Sequence, residues 1–284
     1  MKKNKCNNLS SQQKPYNQRI IRLGQAMGAT EIGFSDLSML PVKKRIGFKR
    51  GISVIIKLSN GILNQIEDEP TQTYFNHYRS VNRLIDDICL RILLELEADG
   101  YPGVAIAASQ SVSDPKDQFT GAFQHKTAAV LSGLGWIGRS ALFIHQRYGP
   151  RVRMGTILTN APLIVGEPVT ESACGSCRAC VKACPAMAIE GRIWEPGMPR
   201  NELYDAYSCS QHMKEAFHHI GRGVVCGLCV VGRCLRPMCR GALSAAYVSL
   251  PVPSENKKLS TVYLDKSLKD RFNWEKFLNR FFFL

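Results

Sequence analysis

The residues best suited to chemistry are a run of four cysteines in the middle of the chain. Cys174, Cys177, Cys180 and Cys184 follow the spacing C-x2-C-x2-C-x3-C, and Pro185 comes directly after the last of them. This spacing lets three thiolates reach three corners of one [4Fe–4S] cube from a single loop, whereas the fourth is held away by the turn and ligates a second cube. The run therefore predicts a second set of cysteines further along the chain.

Such a set is present, at Cys209, Cys226, Cys229 and Cys234, with Cys239 in reserve. We predict the interleaved ligand arrangement of two-cluster ferredoxins. The first cluster takes Cys174, Cys177, Cys180 and Cys234, and the second takes Cys184, Cys209, Cys226 and Cys229. The second set departs from the common spacing, because four residues separate Cys229 from Cys234 and no proline follows at once. Cys239 therefore remains an alternative to Cys234.

Two other uses of closely spaced cysteines have to be weighed. C-x2-C pairs also hold structural zinc, and cysteine-rich secreted chains form disulfides. Zinc needs four ligands but no following proline, and disulfide frameworks belong to short secreted domains, so we expect iron–sulfur clusters. Cys6 and Cys89 have no partner by spacing, and Cys89 is predicted to be a small packed side chain.

Composition limits the class of protein. Hydrophobic residues make up 45% of the 284 residues and charged residues 21%, as in soluble globular proteins. No apolar run approaches the roughly 18–20 residues that span a bilayer, and the basic N-terminus is not followed by the apolar segment of a signal peptide. Many thiols in a chain that stays inside the cell indicate metal ligation. We therefore expect a cytoplasmic protein without membrane contact.

The charge of the chain is strongly positive. The formal net charge of +14 comes from 37 Lys and Arg residues against 23 Asp and Glu residues. Part of this excess compensates the negative charge of two thiolate-ligated clusters. The remainder favours a polyanionic partner, either nucleic acid or a phosphate-bearing cofactor.

The region before the cysteines has the pattern of an α/β domain. Residues 51–58 form a short apolar run typical of a strand covered on both faces. An amphipathic helix from Tyr74 to about Asp99 follows, and then a second buried strand at 104–108. This strand–helix–strand succession implies a βαβ-like unit in an α/β layer architecture. Further helices are predicted at 16–27 and 125–132, and further strands at 31–34, 141–145 and 152–159.

The chain is expected to divide into four segments. Residues 1–14 are polar and predicted to be disordered, and residues 15–168 form the α/β domain that holds cofactor and substrate. Residues 169–248 form a ferredoxin-like module with two [4Fe–4S] clusters. Residues 249–284 are a linker and a Phe-rich tail, which we expect to dock on the protein's own core or on a second subunit.

A glycine-rich stretch precedes the cysteine module. Gly133, Gly135 and Gly138 spell G-x-G-x-x-G, but the dinucleotide fingerprint follows a strand and opens a helix. Here the stretch follows a helix-like segment and leads into an extended one. We therefore predict a tight turn whose glycines let backbone approach a flat cofactor. Four arginines follow and either meet phosphate or carboxamide groups or form a solvated basic face: Arg139, Arg147, Arg151 and Arg153.

Three pieces of the chain together resemble the epoxyqueuosine reductases. They are residues 125–142, which contain the letters GLGWIGR, residues 148–160, which contain GTILTN, and the cysteine run. The resemblance covers residues 100–240 strongly and residues 15–100 in layout. Those enzymes use cobalamin and iron–sulfur clusters in the last step of queuosine synthesis in tRNA, and they are related to the corrinoid reductive dehalogenases.

The resemblance implies a fold, cofactors and partners. The fold is an α/β cobalamin-binding domain, similar to the nitroreductase fold, against a ferredoxin-like module. The clusters would reduce a cobalt corrinoid with electrons from an external donor of the ferredoxin or flavodoxin type, and tRNA is the implied substrate-bearing partner. The implied corrinoid-binding residues are Gly133, Gly135, Trp136, Gly138, Arg139, Tyr148, Arg151 and Arg153.

The chain departs from that family where a proton donor is expected. The family's catalytic aspartate lies in an Asp-Ser-Gly-Pro stretch, and an ungapped match puts Phe119 at its position. An epoxide oxygen that leaves as a hydroxyl needs a general acid, for which the candidates are Asp114, Asp117, His125 and Lys126. The family's helical-repeat C-terminal domain is also not expected in this chain, so the substrate stays open.

Three functions fit these features. The first is a reductase of the epoxyqueuosine-reductase type. The second is an electron-transfer protein that reduces a corrinoid or another redox partner and has no substrate site of its own. The third is an RNA-binding protein with structural clusters, whose RNA binding would depend on salt and survive cluster reduction.

Overall fold

The computed structural model describes residues 5–110 and 119–231, with side chains from residue 16 onward. Several sequence predictions lie outside these ranges: Asp114, Asp117, Cys234, Cys239, the Cys6 side chain and the segment 249–284. Among the described helices, none combines the length and the apolar character needed to cross a membrane.

Four strands form the central sheet. They are β1 (Glu31–Asp36), β2 (Arg50–Lys57), β3 (Gly103–Ile106) and β6 (Val152–Thr159), in the order β1-β2-β6-β3. Every neighbouring pair is antiparallel, so β2 and β3 run parallel to each other on the two sides of β6. Helix α3 (Gln72–Ala98) joins them. The predicted βαβ-like unit is present, with β6 inserted between its strands.

The glycine-rich stretch forms a second, two-stranded sheet. β4 (Gly135–Ile137) pairs in antiparallel register with β5 (Phe143–His145). The sequence predicts only a tight turn before β5, because three residues with two apolar side chains are too short for a strand signal. The reversal between the two strands contains Ala141 at a φ of 56°, a conformation that non-glycine residues rarely adopt.

Helices cover both faces of the central sheet. α1 (Lys5–Ala26) and α3 pack on one face, and α4 (His125–Leu131) packs on the other. α1 begins ahead of the predicted start at residue 16 and takes in most of the segment predicted to be disordered. A helix that is already nucleated by a packed face extends at small cost per residue. Such an extension needs no apolar stripe, so apolar periodicity in the sequence does not indicate it.

Close packing of α3 on the sheet explains one of the unpaired cysteines. Cys89 is buried and free, and burial raises the pKa of its thiol to about 12. A Cβ atom at Gly155 of β6 would lie 2.4 Å from Ile85 Cγ2 and 2.8 Å from Cys89 Sγ, so only glycine fits beneath this thiol. The prediction that Cys89 is a small packed side chain is confirmed.

The cysteine-rich segment has short helices and no extended sheet among its described residues. It contains α5 (Ala179–Lys182), a 3-10 turn (Arg200–Glu202), α6 (Ala206–Ala216) and α7 (Leu228–Val231). A further short helix, α2 (Asn60–Leu63), lies between β2 and α3. A small apolar cluster anchors the segment to α3 through Phe75, Phe217, Ile220 and Val224.

Candidate metal centres

The thiols predicted to hold the second cluster lie near one another. Burial, together with the neighbouring thiols of Cys226, Cys209 and Cys184, raises the pKa of Cys229 to about 12. Burial and the thiols of Cys209 and Cys184 likewise raise the pKa of Cys226 to about 11. Mutual repulsion of this kind requires short distances. Cys184 therefore lies with the later cysteines although the sequence places it in the earlier run.

Hydrogen-bond donors surround the sulfur atoms of this second set. The Tyr204 hydroxyl donates to Cys209, and burial together with this hydrogen bond raises the pKa of Tyr204. The backbone N–H of Ala188 lies 3.4 Å from Cys184 Sγ. Donors of this kind stabilise thiolate ligands and tune the potential of a cluster. Sequence reasoning missed Tyr204, because no spacing rule links a tyrosine to a cysteine five residues on.

The second set is fixed to α3 by a glycine. Gly227 lies between Cys226 and Cys229 and has a φ of 75°. A Cβ atom there would come within 2.6 Å of Tyr74 Cε1 and 2.9 Å of its hydroxyl. Any larger residue would strain the backbone and push the loop from the tyrosine ring. The first turn of α3 therefore positions two of the predicted ligands.

The first cysteine set lies in the loop before α5 and in its first turn. Burial raises the pKa of Cys180, and the thiols of Cys174 and Cys177 add to the shift. All three residues are half-buried. Their predicted fourth partner, Cys234, lies outside the described residues. Cys180 also raises the pKa of Cys229, so the two thiol sets are neighbours.

The donor chemistry of these sets suits iron–sulfur clusters. In the described part of the chain, no three Cys, His, Asp or Glu side chains converge closely enough to enclose a single metal ion. Buried thiols with raised pKa values become thiolates readily only when metal supplies positive charge.

The hairpin of β4 and β5, which contains the glycine-rich stretch, packs directly against Cys174. A Cβ atom at Gly135 would lie 2.0 Å from the carbonyl oxygen of Ile144 on the paired strand. A Cβ atom at Gly138 would lie 2.8 Å from Ile144 Cγ1 and 3.5 Å from Cys174 Sγ. These glycines are needed for strand pairing and for contact with the cysteine loop. The predicted glycine turn thus joins the α/β domain to the first thiol set.

Arg139 ties the cysteine segment to the hairpin. Its guanidinium donates to the carbonyl oxygens of Gly175 and Gly191. Gly175 lies inside the first cysteine loop, and Gly191 lies beyond Pro185. Hydrogen bonds from a charged donor contribute roughly 1.5–3 kcal/mol each. The two bonds therefore hold both ends of the loop against β4 and β5.

We expect an Arg139→Gln substitution to destabilise the protein by about 2 kcal/mol, because glutamine cannot bridge the two carbonyl groups. The melting temperature should fall by roughly 4–8 °C for a chain of this size. Anaerobic differential scanning fluorimetry measures the shift. Arg22→Gln, at an exposed position on α1, is the matched control. Equal melting temperatures for the two variants would show that the two hydrogen bonds of Arg139 contribute nothing to the stability of the fold.

The other predicted cofactor-binding residues bond to different elements. Arg151 donates to the side-chain oxygens of Asn60 and Asn64 at 3.3 and 3.2 Å. Arg153 donates to Asn82 Oδ1 at 2.9 Å and to the carbonyl oxygen of Ala108 at 3.1 Å. These two arginines are therefore structural cross-links in the described fold and do not converge on one phosphate or carboxamide group.

Among the buried nitrogen atoms that have no hydrogen-bond partner in the described part of the chain are Trp136 Nε1 and Arg139 Nε. Trp136 is 4% exposed and lies in the middle of β4. A buried donor without a partner costs free energy, so these atoms mark where an acceptor from a ligand would be stabilising. Gly133, at a φ of 78°, lies at the turn before this strand.

The candidate proton donors His125 and Lys126 differ sharply in environment. His125 Nδ1 lies 2.9 Å from Thr156 Oγ1, and its Nε2 lies 3.1 Å from the carbonyl oxygen of Ala107. Burial lowers the pKa of His125 to about 4. The half-buried Lys126 donates from its ammonium group to the Ala141 carbonyl oxygen at 2.6 Å. Burial, with repulsion from Arg200, lowers its pKa to about 8.

A polar cluster that sequence reasoning missed lies beside the hairpin. The Glu31 carboxylate is 3.2 Å from His145 Nε2 and 2.8 Å from Arg147 Nη2. The backbone N–H of Arg147 donates to His145 Nδ1 at 3.1 Å. The Tyr148 ring stacks on His145 with the ring centroids 4.8 Å apart. The hydrogen bond from His145 and the pairing with Arg147 lower the pKa of Glu31 to about 2.

We expect the Glu31 cluster to make the protein sensitive to acid. The folded pKa of Glu31 lies below its ordinary value of 4.5, so the stability that it contributes is present above pH 4.5 and lost as the pH falls toward 2. Glu31→Gln should cost roughly 1–2 kcal/mol at pH 7, a figure reduced for the partial exposure of the carboxylate. Urea unfolding at pH 7 and pH 4 measures this cost, and the difference from wild type should shrink at the lower pH. Glu67→Gln, at an exposed site, should change stability little. An equal loss of stability in both variants would refute the stabilising role of Glu31.

Comparison with curated proteins matches segments of about a quarter of this chain. No family model matches the chain. A segment of 70 residues, 25% of this chain, is 43% identical to the epoxyqueuosine reductase of Gloeobacter violaceus and covers 22% of that protein. A segment of 83 residues is 37% identical to the epoxyqueuosine reductase of Synechocystis sp. and covers 28% of each chain. The chain is a relative of the epoxyqueuosine reductases.

Solved structures show the same relation at the level of the fold. An epoxyqueuosine reductase determined with an epoxyqueuosine-modified tRNA stem loop matches at a TM-score of 0.52 and 17% identity, covering 80% of this chain and 66% of that chain. The catabolic reductive dehalogenase NpRdhA matches at a TM-score of 0.57 and 17% identity, covering 78% of this chain and 31% of that chain. The mixed α/β architecture is therefore shared with both groups.

The sequence match to the epoxyqueuosine reductases is partial. The chain spans about a sixth to a third of the length of the curated relatives that it matches. One longer alignment, to the epoxyqueuosine reductase of Aliivibrio fischeri, covers 136 residues at 29% identity. The predicted resemblance is confirmed.

Proposed function

We propose that this protein is a cytoplasmic oxidoreductase of the epoxyqueuosine-reductase type. Residues 169–248 act as a ferredoxin-like module with two [4Fe–4S] clusters that pass electrons to an acceptor in the α/β domain of residues 15–168. The observation that carries the proposal is the grouping of Cys184 with Cys209, Cys226 and Cys229. The interleaved two-cluster pattern requires this grouping.

The chain's own residues would hold and connect the clusters. Cys174, Cys177 and Cys180 bind the first with Cys234, and the remaining four thiols bind the second. The proximity of Cys180 to Cys229 supports an arrangement with the two clusters side by side, which would favour electron transfer between them. Gly138 against Cys174 and Gly227 against Tyr74 attach each cluster to a different part of the α/β domain.

A corrinoid is the proposed acceptor. A bound corrinoid would supply a low-potential cobalt centre able to donate electrons to a substrate. Trp136 Nε1 and Arg139 Nε are the buried donors without partners near the first thiol set, and they would bond to amide or carbonyl oxygens of such a ligand. Arg151 and Arg153 would have a supporting role, because their hydrogen bonds fix α2 and α3 against β6.

Lys126 is the proposed proton donor among the described candidates. A general acid works best with a pKa near the operating pH, and the pKa of Lys126 is about 8. His125 holds hydrogen bonds at both ring nitrogens, and its pKa of about 4 keeps it neutral at pH 7. The aspartates 114 and 117 remain candidates in the adjoining segment.

The proposed substrate is epoxyqueuosine in tRNA, reduced with electrons from an external ferredoxin or flavodoxin. The test uses the full chain after anaerobic reconstitution with iron, sulfide and hydroxocobalamin. It is incubated with epoxyqueuosine-containing tRNA and a chemical or flavodoxin reductant. Mass spectrometry of the digested tRNA should show queuosine. Clusters that reduce normally without queuosine formation would refute this substrate.

A second candidate is an electron carrier without its own substrate site. The half-exposed first thiol set favours it, because an accessible cluster exchanges electrons readily with a partner. This candidate predicts that reduced protein delivers electrons to free hydroxocobalamin or to a partner protein, and that desalted protein retains no cobalt. Retention of cobalt after desalting would exclude it.

A further inference from the structure

The loop between β1 and β2, residues 37–49, presents three apolar side chains to solvent. Met39, Val42 and Ile46 are 73%, 61% and 43% exposed. Single exposed apolar residues are common on protein surfaces, whereas a group of them on one short loop indicates an interaction site. The packing of the fold does not account for these three residues, so a binding partner is the explanation to pursue.

A Schellman motif shapes this loop. The N–H of Gly47 donates to the Val42 carbonyl oxygen at 3.1 Å. Inside that bond, the N–H of Ile46 donates to the Lys43 carbonyl oxygen at 3.4 Å. Ile46 therefore occupies the left-handed position of the motif, at a φ of 52°, where glycine or asparagine is usual. A β-branched residue is strained there, so the loop keeps an exposed apolar side chain against the preference of its backbone.

The same motif leaves Val42 without its usual contact. The residue that donates the longer bond of a Schellman motif commonly packs an apolar side chain near the residue that accepts it. Here that donor is Gly47, which has no side chain, and a Cβ atom at Gly47 would meet nothing within 4 Å. Both departures from the usual motif leave an apolar side chain in solvent.

The inner side of the loop is fixed to the fold. Leu40 and Phe48 pack against the apolar cluster that contains Leu37 and Leu158. The buried Arg45 guanidinium donates to three backbone carbonyl oxygens of the loop at 2.9–3.1 Å. The exposed side chains therefore project from a loop that is already ordered. A preorganised surface loses less entropy when it binds.

Positive charge is interspersed with the apolar side chains. Lys43, Lys44 and Lys49 are exposed, and no carboxylate within residues 16–110 or 119–231 forms an ion pair with them. Asp36, at the start of the loop, is paired with Arg50 at 2.9 Å. The loop thus carries three uncompensated ammonium groups, and an anionic partner complements them.

This combination of side chains favours a lipid surface over a protein or an RNA strand. A stable protein interface takes in roughly 800 Å² of each partner, which three side chains on one loop do not supply. An RNA strand would leave these side chains in water, because none of them is aromatic and able to stack on a base. At a bilayer surface, apolar side chains enter the acyl boundary, while lysine stems lie along it and place their ammonium groups among the phosphates.

We propose that this loop docks the protein on an anionic lipid surface. Met39, Val42 and Ile46 insert into the bilayer interface, and the three lysines contact the headgroups. The expectation of no membrane contact rests on the lack of a spanning segment, and a loop that inserts only side chains does not need one. Docking is peripheral and reversible, because three side chains bury far less apolar surface than a spanning helix. It is independent of the proposed reductase activity, since the loop contains none of the thiols.

The test measures co-sedimentation of the full chain, reconstituted with iron and sulfide, with vesicles at low and moderate salt. Wild-type protein should pellet with vesicles of phosphatidylcholine and phosphatidylserine, and it should stay in the supernatant with phosphatidylcholine alone. Each lysine near an anionic surface contributes about fivefold to binding. The variant Lys43→Ala, Lys44→Ala, Lys49→Ala should therefore bind about tenfold more weakly, or less. A control with the same loss of charge at exposed sites elsewhere should bind nearly as wild type: Arg22→Ala, Arg83→Ala, Lys214→Ala.

The apolar side chains are tested at constant charge. The variant Met39→Ser, Val42→Ser should bind about tenfold more weakly at both salt concentrations, because transfer of apolar surface is not screened by salt. Its matched control, Leu90→Ser, Leu94→Ser, removes two side chains of α3 that are 53% and 49% exposed, and it should bind as wild type.

Ile46→Asn separates binding from folding. Asparagine tolerates the left-handed conformation, so this variant should bind vesicles several-fold more weakly without a lower melting temperature. A lower melting temperature with unchanged vesicle binding would show that Ile46 serves the fold and would overturn its assigned role.

Three results would overturn the docking site. Wild-type protein that stays in the supernatant with anionic vesicles at low salt would exclude the lipid surface. Equal pelleting of wild type and the Met39→Ser, Val42→Ser variant would show that charge alone attracts the protein. Dimerisation that this variant abolishes, without vesicle binding by wild type, would assign the loop to a second copy of the chain.

Discussion

A Cys184→Ala chain is expected to retain about half of the iron of the wild-type protein after anaerobic reconstitution. Cys184 stands in the same short run as the first three ligands, yet its thiol lies with those of Cys209, Cys226 and Cys229. Its loss should therefore open the second cluster and leave the first intact. Iron and sulfide analysis, with electron paramagnetic resonance of the reduced protein, measures the remaining cluster.

Double variants decide which thiols share a cluster. If Cys184 and Cys229 bind the same cube, the variant lacking both should hold as much iron as Cys184→Ala alone. A variant lacking Cys184 and Cys180 should then lose both clusters. A closed site formed by the run 174–184 predicts the reverse result in both cases. Cys89→Ala is the control, because this buried thiol belongs to neither set and its loss should leave the iron content unchanged.

Lys126→Met is expected to stabilise the protein at pH 7 by about 1–2 kcal/mol. Burial depresses the pKa of Lys126 from 10.5 to about 8, which corresponds to roughly 3 kcal/mol of unfavourable free energy for the charged form. Loss of the hydrogen bond to the Ala141 carbonyl oxygen offsets about 1 kcal/mol of this gain. Below pH 8 the amine is charged in the folded and unfolded states, so the full cost applies.

The pH dependence distinguishes this effect from simple repacking. Between pH 8 and 10.5 the unfolded chain binds the proton and the folded chain does not, so wild-type stability rises with pH in this window relative to the variant. The advantage of Lys126→Met in urea unfolding should therefore shrink from pH 7 to pH 9.5. A constant difference across this range would show that the amine is not buried in charged form.

The same residue provides a test of the proton-donor assignment. We expect wild-type turnover to fall above about pH 8, as Lys126 loses its proton. Lys126→Met should lose at least a hundredfold in rate, within the usual contribution of general acid catalysis. Lys126→Arg keeps the charge but does not release a proton near neutral pH, so it should also be slow. Normal turnover by the arginine variant would limit Lys126 to a structural role.

The larger elements of the fold were predictable because each depends on local patterns. β6 coincides with its predicted range of 152–159, and α3 begins and ends within two residues of its predicted limits. β2 is buried on both faces as its continuous apolar run indicates. Gly100, at a φ of 84°, ends α3 in the conformation that favours glycine at a helix C-terminus.

The positions of individual site residues were harder to predict, because they depend on contacts distant in sequence. The spacing of the cysteines indicates which of them share a cluster, because ligand geometry constrains spacing, and this grouping stays a prediction. No comparable rule indicates that Arg151 binds Asn60 and Asn64. Nor does one link Glu31 to His145 across more than a hundred residues. Arginines after a glycine motif resemble a phosphate site in sequence, and only the fold reveals that two of them are internal cross-links.

The most direct test of the two-cluster assignment is the metal content of the full chain. The protein is reconstituted anaerobically with iron, sulfide and hydroxocobalamin, desalted, and analysed for iron, sulfide, cobalt and zinc per chain. We predict about eight iron atoms, eight sulfides and one cobalt, as two [4Fe–4S] clusters and one corrinoid require. One zinc ion per thiol set with no bound iron would contradict the account.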